Sequence, residues 1–305
     1  MKKTLIALST FITTTLAFVG HVEADTSIEF GIGYRFDDIH WKTKAPDTIR
    51  LGTESSLKFR DLEIFTIQGR IKSSCGECTY YRIDGQYGWI EDGTVRESDR
   101  ISFTSVVPRA ESNVICFVNP VVHNNANQKY VADFNLAIGY PLQQCWCQNL
   151  QLIPTIGFAY DTQRINAKNR ERIEDELLAI EVSQLGLNPE GRSHNSYRTT
   201  WWGPWIGFDF AFCQTECWNI YGEFEFHFAR CRRERSSDSG FSFFDDFHRT
   251  RRAYGYNLRL GSLYFFCCNW FLDGHLGYQR FTSDHRNDSV GWRSYNIGLD
   301  LGYMF

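Results

Sequence analysis

The sequence predicts an all-β fold, a closed antiparallel transmembrane β-barrel of about ten strands, and three observations support that prediction. Apolar and polar residues alternate along most of the chain from Asp25 onward, which is typical of strands with two different faces. Aromatic residues make up 16% of the chain and are concentrated on the apolar face. Short and long connections alternate between the predicted strands, as they do in outer-membrane barrels.

The composition excludes several other classes of protein. No apolar run reaches the roughly 20 residues that a spanning helix needs, so a polytopic helical membrane protein is excluded. The chain has 32 Lys and Arg against 36 Asp and Glu, so it lacks the basic footprint of a nucleic-acid-binding protein. No cofactor is expected from the sequence, and no metal site is predicted.

The first 24 residues have the features of a secretory signal peptide. Lys2 and Lys3 form a charged start, an apolar stretch follows from Leu5 to Val19, and small or apolar residues precede a cleavage point after Ala24. A buried N-terminal helix is the alternative, but the length and the flanks favour a signal. The sequence therefore predicts a signal peptide over 1–24 and a barrel domain over 25–305.

The alternation places ten strands in order along the barrel domain. They are expected near 27–37, 57–71, 79–90, 130–141, 149–161, 199–212, 218–230, 253–266, 270–281 and 291–305. A hairpin formed by Ile101–Val107 and Val114–Val118 would raise the number to twelve. A soluble sandwich would also alternate, but the second face carries too many charges for a sandwich core.

The connections give the barrel an orientation. Short turns are predicted at 72–78, 142–148, 213–217 and 267–269, and long loops at 38–56, 91–129, 162–198, 231–252 and 282–290. Outer-membrane barrels have an even number of strands, short periplasmic turns and long extracellular loops. The sequence therefore predicts a protein of the outer membrane, in contact with its lipid.

The two faces of the strands have separate predicted roles. Tryptophans at strand ends are expected in the aromatic girdles at the lipid interface: Trp201, Trp202, Trp205, Trp270 and Trp292. Charged residues are expected to point inward: Glu29, Asp84, Asp133, Asp209, Glu223, Glu225, Asp273, Asp300, Arg35, Arg82, Arg259, His227 and His275. In so narrow a barrel, opposite charges form a hydrogen-bonded plug most simply, and a narrow pore is the alternative.

Eight of the ten cysteines lie in or beside the four short turns: Cys75, Cys78, Cys145, Cys147, Cys213, Cys217, Cys267 and Cys268. Disulfides persist in the periplasm, so these residues are candidates for bridges between neighbouring turns or to other envelope proteins. The sequence does not show their connectivity. Metal binding by Cys75 and Cys78 is the weaker interpretation.

Two long loops carry further patterns. Apolar residues recur with helical spacing from Lys168 to Leu185, which predicts a short amphipathic helix over the barrel mouth. The loop 231–252 and the preceding Arg230 contain seven arginines around an acidic centre. Lipopolysaccharide phosphates are a possible counter-charge for these arginines, and a solvated loop is the alternative.

Three stretches resemble the Pom outer-membrane proteins of chlamydia-like bacteria, and the resemblance runs over most of the mature chain. They are VADF at 131–134, YRTTWWGPW at 197–205 and FFDDFHRT at 243–250. The resemblance implies an outer-membrane barrel with a porin role, in an envelope where disulfide-linked proteins matter. The terminal Phe305 also resembles the C-terminal signature of outer-membrane barrels.

The layout is also similar to the omptins, which are ten-stranded outer-membrane proteases. Their Asp-x-His pair has a counterpart in Asp246 and His248, after the seventh predicted strand. Their acid-x-acid pair has a counterpart in Glu97 and Asp99, after the third. The resemblance implies that Asp246 orients His248, which takes a proton from an attacking water. It also implies that the other two acids hold that water or a basic substrate side chain. One omptin Asp is Glu here, which weakens the match.

Taken together, the sequence favours an integral outer-membrane barrel that serves as a surface envelope protein with narrow porin-like permeability. An omptin-like endopeptidase and a structural or adhesion protein are the alternatives. Solute preference, peptide specificity and oligomeric state are left open.

Overall fold

A computed structural model shows an antiparallel β-barrel. It describes residues 25–44, 51–75, 79–105, 114–118, 121–127, 129–142, 150–169, 194–215, 217–237, 248–267, 269–285 and 288–305. The predicted signal peptide, 1–24, lies outside the described residues. None of the described residues forms a helix long and apolar enough to cross a membrane.

The described residues form twelve strands, which include the ten expected from the sequence. Their bounds are β1 Asp25–Lys44, β2 Leu51–Cys75, β3 Thr79–Ser105, β4 Val114–Val118, β5 Val121–Asn127, β6 Tyr130–Gly139, β7 Leu150–Asn169, β8 His194–Cys213, β9 Trp218–Ser237, β10 His248–Cys267, β11 Trp270–His285 and β12 Asp288–Met304.

The sheet closes on itself with ten strand positions around its circumference. Each strand from β7 to β12 pairs with its neighbours along the chain, β12 pairs with β1, and β1 pairs with β2. The tenth position, between β3 and β7, is shared by β5 and β6, while β4 pairs only with the end of β3. The predicted fold class is confirmed. The hairpin expected at 101–118 does pair, Ile101 with Val118, but it does not enlarge the barrel.

Strands continue into several segments that were predicted to be loops. β3 ends at Ser105 rather than near residue 90, and only 286–287 separate β11 from β12. The long loop predicted at 282–290 is therefore wrong. The reason is that backbone hydrogen bonds between paired strands continue beyond the apolar band, where side-chain alternation no longer marks them. Of the predicted helix, Lys168 belongs to β7, and 170–193 lie outside the described residues.

The outside of the barrel carries an apolar band bounded by aromatic residues. Phe30, Ile32, Ile297 and Leu299 are among its exposed side chains. Near the short turns, the ring of Trp218 contacts Tyr264 and the ring of Trp270 contacts Tyr303, each with centroids 5.0 Å apart. Near the other end, Tyr278 contacts Tyr295 at 4.9 Å. These are the two interfacial girdles of a membrane-spanning barrel.

Three of the five tryptophans predicted for the girdles face the interior instead. Trp270 is exposed and Trp202 is half-buried, but Trp201, Trp205 and Trp292 are at most 1% exposed. Successive side chains of a strand point to opposite faces, so Trp201 and Trp202 cannot both contact lipid. Trp205 shares the inward face of β8 with Trp201, and Trp292 lies on the inward face of β12.

Two of the three buried indoles, those of Trp201 and Trp292, belong to a large apolar cluster in the half of the barrel farther from the short turns. The ring of Trp292 lies 6.2 Å from that of Trp201 and 5.2 Å from that of Phe281. The cluster contains Ile39, Trp41, Leu57, Phe59, Leu62, Ile64, Ile90, Val95, Val131, Ile165, Tyr197, Trp201, Ala229, Cys231, Ala253, Phe281, Val290 and Trp292. We call it the upper apolar cluster. It fills the barrel interior on the side of the long loops.

Replacing Trp292 by Ala is expected to lower the free energy of unfolding by about 3–5 kcal/mol, because it leaves a cavity between two buried rings. Urea titration of the purified barrel in detergent, followed by far-ultraviolet circular dichroism, measures this loss. Trp270→Ala is the matched control, since lipid or detergent fills the space at an exposed site. An equal loss in both variants would contradict the inward position of Trp292.

Candidate functional site in the barrel lumen

The candidate site is a layer of charged side chains inside the barrel, between the upper apolar cluster and the short turns. All thirteen residues that the sequence placed on the inward face line it. Eleven are buried or nearly so, and Asp84 and Arg259 keep side-chain exposures of 19% and 16%. This layer is the predicted hydrogen-bonded plug of opposite charges. Its geometry depends on which strands carry the arginines and which carry the acids.

Arg82 on β3 is the centre of the largest group. Its guanidinium donates to both carboxylate oxygens of Asp209 on β8, at 2.7 and 2.8 Å, and also to Glu225 on β9. Tyr80 donates a further hydrogen bond of 2.8 Å to Asp209. Because β3 and β9 lie on distant parts of the wall, Arg82 links opposite sides of the lumen.

Glu223 joins a second arginine to this group. The guanidinium of Arg70 on β2 donates to both of its carboxylate oxygens, at 2.9 and 3.0 Å, while its Nε donates to Asp84. Glu223 also lies 3.2 Å from Arg82 and 3.1 Å from Lys72. The two arginines therefore share one buried carboxylate, which satisfies the charges that burial would otherwise make costly.

A third group surrounds Arg35 at the level below the upper apolar cluster. Arg35 donates two 2.7 Å hydrogen bonds to Asp37 and a further bond to Asp133 on β6. Its guanidinium carbon lies 5.0 Å from the centre of the Trp292 ring, a distance suited to a cation–π contact. Arg35 thus connects the charged layer to the aromatic side chains next to it.

Nearer the short turns, Arg259 lies 3.4 Å from Asp273 and 3.3 Å from Asp300. Together with His275, these two acids bring three potential metal-ligand atoms within 4.8 Å of one another. Gln68 donates to Asp300 at 2.5 Å, and Tyr221 donates to Asp273 at 2.6 Å. Both carboxylates already pair with Arg259, so we assign the trio to the ion-pair network.

Amide and imidazole groups complete the network around Glu225. Asn135 and Asn257 donate to its carboxylate at 2.8 and 3.2 Å, and His227 lies 3.0 Å away. The indole of Trp205 donates to Asn135 at 2.8 Å, which explains why this tryptophan is inside the barrel. Charged, amide and aromatic groups are thus connected across the lumen.

Two glycines make room for this layer. A Cβ atom at Gly31 would overlap the Asp300 carboxylate, and one at Gly298 would overlap the His275 ring. A larger residue at either position would displace a buried ionisable side chain. A polar cavity of about 80 Å³ remains beside these groups, lined among others by Arg70, Asp84 and Asn257. It has room for a few water molecules.

Sequence reasoning missed several members of the network. Arg70, Asp37, Asp161 and Tyr80 are buried in the lumen but were not predicted there. Asp37 could have been found, because it lies two residues from the predicted inward residue Arg35. Arg70 was harder to place, because a bulge in β2 at Asp61, where φ is 52°, moves the inward face from odd to even positions.

The residues of the omptin-like hypothesis come from strands on opposite sides of the barrel. Glu97 and Asp99 belong to β3, and His248 is the first residue of β10, so neither segment is the loop that was expected. Of the ten strand positions around the barrel, β10 is the fifth from β3 in either direction, so the two strands lie on opposite walls. The side chains of these three residues, and all of Asp246, lie outside the described part of the chain.

Four of the eight predicted turn cysteines belong to the described residues. Cys75 and Cys267 end β2 and β10 at the predicted rim, and the exposed Cys213 and Cys217 flank the β8–β9 turn with free thiols. Cys231 is free and buried on β9 in the upper apolar cluster, and burial raises the pKa of its thiol to about 12. Cys78, Cys145, Cys147 and Cys268 lie outside the described residues, so the disulfides stay a prediction.

Comparison with known proteins agrees with this fold. A family model described as Protochlamydia outer membrane protein (Pom) matches residues 29–305. Among solved structures, the outer membrane protease OmpT from Escherichia coli is similar in fold, with a TM-score of 0.65 at 12% identity, over 92% of this chain and 97% of that one.

Two other outer-membrane proteins align with lower TM-scores. Ail from Yersinia pestis has 0.29 at 12% identity, over 93% of this chain and 100% of that one. OprG from Pseudomonas aeruginosa has 0.35 at 8%, over 94% and 98%. No curated protein sequence matches the chain.

Proposed function

Since the chain belongs to the Protochlamydia outer membrane protein (Pom) family, we propose that this outer-membrane β-barrel is a surface envelope protein with a narrow permeation path. The ion-pair network and the upper apolar cluster hold that path closed. The permeating species are water and small solutes, in keeping with the size of the polar cavity between the network residues.

The observation that supports a path is the number of ionisable side chains buried in the lumen. An apolar interior would stabilise a barrel with a purely mechanical role equally well, because replacing buried ion pairs with well-packed apolar residues is often neutral or stabilising. This barrel instead keeps Arg35, Arg70 and Arg82 with their acids at the centre of its lumen. Charged groups of both signs support the passage of hydrated solutes once their contacts separate.

Two barriers in series account for the closed state. The upper apolar cluster excludes water from the outer half of the lumen, as hydrophobic constrictions do in channels. Below it, Arg82 bridges from β3 to Asp209 and Glu225 and occupies the centre. Opening therefore requires both a change in side-chain packing above and a break in the salt bridges below.

Conductance in planar lipid bilayers tests this function. The wild-type barrel is expected to give rare, small steps, and Arg82→Ser several-fold larger or more frequent steps, because the bridge across the lumen is lost. Trp205→Ala is expected to widen the lumen at the level of Arg82 without leaving an unpaired charge. Arg96→Ser, on the exposed outer wall, is the matched control. Heat-dependent mobility on gels checks that each variant folds. Silence from the wild type and from both lumen variants would refute a path and favour a structural or adhesion role.

We further propose that the exposed turn cysteines link the barrel to other envelope proteins. The free, exposed thiols of Cys213 and Cys217 support this proposal, since thiol–disulfide exchange needs access and a fraction of thiolate. Cys231 meets neither condition, because it is buried and its thiol pKa is raised to about 12.

On non-reducing gels of cell envelopes, the double variant Cys213→Ser with Cys217→Ser is expected to show fewer reducible oligomers than the wild type. Cys231→Ser is the control and should leave the oligomers unchanged. An unaltered pattern in the double variant would exclude this pair from the linkage.

An endopeptidase is the second candidate, and the topology is the observation that favours it. The strands that carry Glu97, Asp99 and His248 lie on opposite walls at the long-loop end, so a substrate in the mouth would lie between them. Asp246 and His248 would then activate a water against a peptide bond held near the acid pair.

Cleavage of dibasic peptides by the purified barrel tests the endopeptidase. We expect a His248→Ala variant to lose at least 100-fold in rate if His248 is the general base, a loss typical of general-base removal. His285→Ala is the control, because it changes a histidine near the end of β11. Equal cleavage by His248→Ala and the wild type would remove His248 from any catalytic role.

A further inference from the structure

The outer wall of the barrel is unevenly charged on the side of the long loops. On β8 to β12, six outward-facing arginines lie beyond the apolar band: Arg198, Arg230, Arg232, Arg252, Arg280 and Arg293. We call them the arginine arc. Only Glu234 and Asp284 are outward acids at this level among the described residues of the same five strands. The arc therefore carries a net positive charge.

The arc contains arginines placed directly opposite each other. Arg230 on β9 faces Arg252 on β10, and Arg280 on β11 faces Arg293 on β12. Like charges opposite each other on neighbouring strands are destabilising unless something neutralises them. Such pairs therefore indicate that a negative partner is present where the protein works.

The protein supplies that partner for only some members of the arc. Arg293 pairs with Asp38 at 2.5 Å, and Arg232 pairs with Glu234 at 2.7 Å. Within the described residues, no ion pair involves Arg230, Arg252 or Arg280. Both arginines of the pair on β9 and β10, and Arg280 of the pair on β11 and β12, therefore lack an acidic partner among the described residues.

The other side of the wall differs. On β1 to β3 the exposed cations at this level are matched by acids: Lys42, Lys58, Arg60 and Arg96 against Asp38, Asp61, Glu63, Glu91 and Asp92. A general requirement of the outer surface for positive charge would not produce this contrast. Among the described residues, the excess of positive charge is therefore found on β8 to β12 and not on β1 to β3.

The level of the arc in the membrane decides what can neutralise it. Phe228 is 45% exposed and precedes Arg230 by two residues. Tyr254 is 55% exposed and follows Arg252 by two residues. Both aromatic side chains lie between the arginines and the apolar band. Tyr278 and Tyr295 hold the same position relative to Arg280 and Arg293. Aromatic girdles lie at the level of lipid headgroups, so the guanidinium groups are placed among the headgroups and not in bulk water.

We propose that the arginine arc binds the phosphate groups of a phosphorylated lipid headgroup in the outer leaflet, with the acyl chains against the apolar band below. Guanidinium groups suit this ligand, because they donate to phosphate oxygens in a planar, two-pronged geometry. The facing pairs Arg230–Arg252 and Arg280–Arg293 each place two such donors beside one another. This inference is independent of the permeation path.

His40 gives an internal reporter of this charge. Its side chain lies beyond the apolar band on β1, where burial lowers the pKa of the imidazole and Lys58, Arg280 and Arg293 lower it further. A phosphate group bound beside Arg280 and Arg293 would oppose their effect. The pKa of His40 should therefore rise when the lipid binds.

Binding is tested with diphosphoryl lipid A as the probe, added to the full barrel in a neutral detergent. Native mass spectrometry is expected to show retained lipid on the wild type. The triple variant Arg230→Gln, Arg252→Gln, Arg280→Gln, whose members make no ion pair in the described structure, should retain at least ten-fold less. The matched control replaces Lys58, Arg60 and Arg96 with Gln and removes three cations from the other side of the wall.

Two further arms identify the source of the phosphate. Dephosphorylated lipid A should bind poorly to the wild type, and inorganic phosphate at millimolar concentration should neither bind nor raise the His40 pKa measured by NMR. Equal retention by the triple variant and the wild type would overturn the proposal. Equal binding of the dephosphorylated lipid would show that acyl chains alone are recognised, and a response to inorganic phosphate would show a site for free anions; either result also overturns it.

Discussion

The interior of this barrel depends on one constraint, which is that charges removed from water must be matched by partners from the opposite wall. Arg82 and Arg70 meet this constraint by sharing Glu223, so that three strands are linked through a single carboxylate. Since breaking one partner of a buried pair leaves an uncompensated charge, the strands that carry these groups are held in a fixed relation.

The interior is divided into two regions of different chemistry. Most of the buried charged residues lie in the half near the short turns. The upper apolar cluster lies in the half near the long loops, which also holds the buried ion pair of Arg233 and Asp288. Trp205 and Trp292 join the two, because each ring contacts a guanidinium group, at 5.5 and 5.0 Å. A solute crossing the barrel would meet an apolar barrier and then a charged one. This order distinguishes the lumen from that of a wide, water-filled channel.

The same strands also shape the outside of the molecule. Along β11 and β12 the outward residues change from Leu276 and Ile297, through Tyr278 and Tyr295, to Arg280 and Arg293. The sequence of layers matches the change from acyl chains to headgroups across a bilayer interface. Each strand therefore contacts two environments, lipid on its outward face and a network of ion pairs on its inward face. Because the two faces alternate along the same strand, a change that suits one environment must also leave the other face in place.

The period-two alternation determined the ten strand positions and the thirteen inward charges, because a strand sorts its residues between two faces whatever its partners are. The fold class also needed the charges of the second face and the alternation of short and long connections. The period-two alternation did not determine which face each tryptophan occupies, since Trp201 and Trp202 both suit a girdle by composition. Nor did it find Arg70, because the bulge at Asp61 reverses the faces within β2. Only the tertiary structure decided which acid each arginine meets, as Arg82 and Glu225 are 143 residues apart. Contacts across a closed lumen depend on strand register and barrel closure, and neither is a local property of the chain.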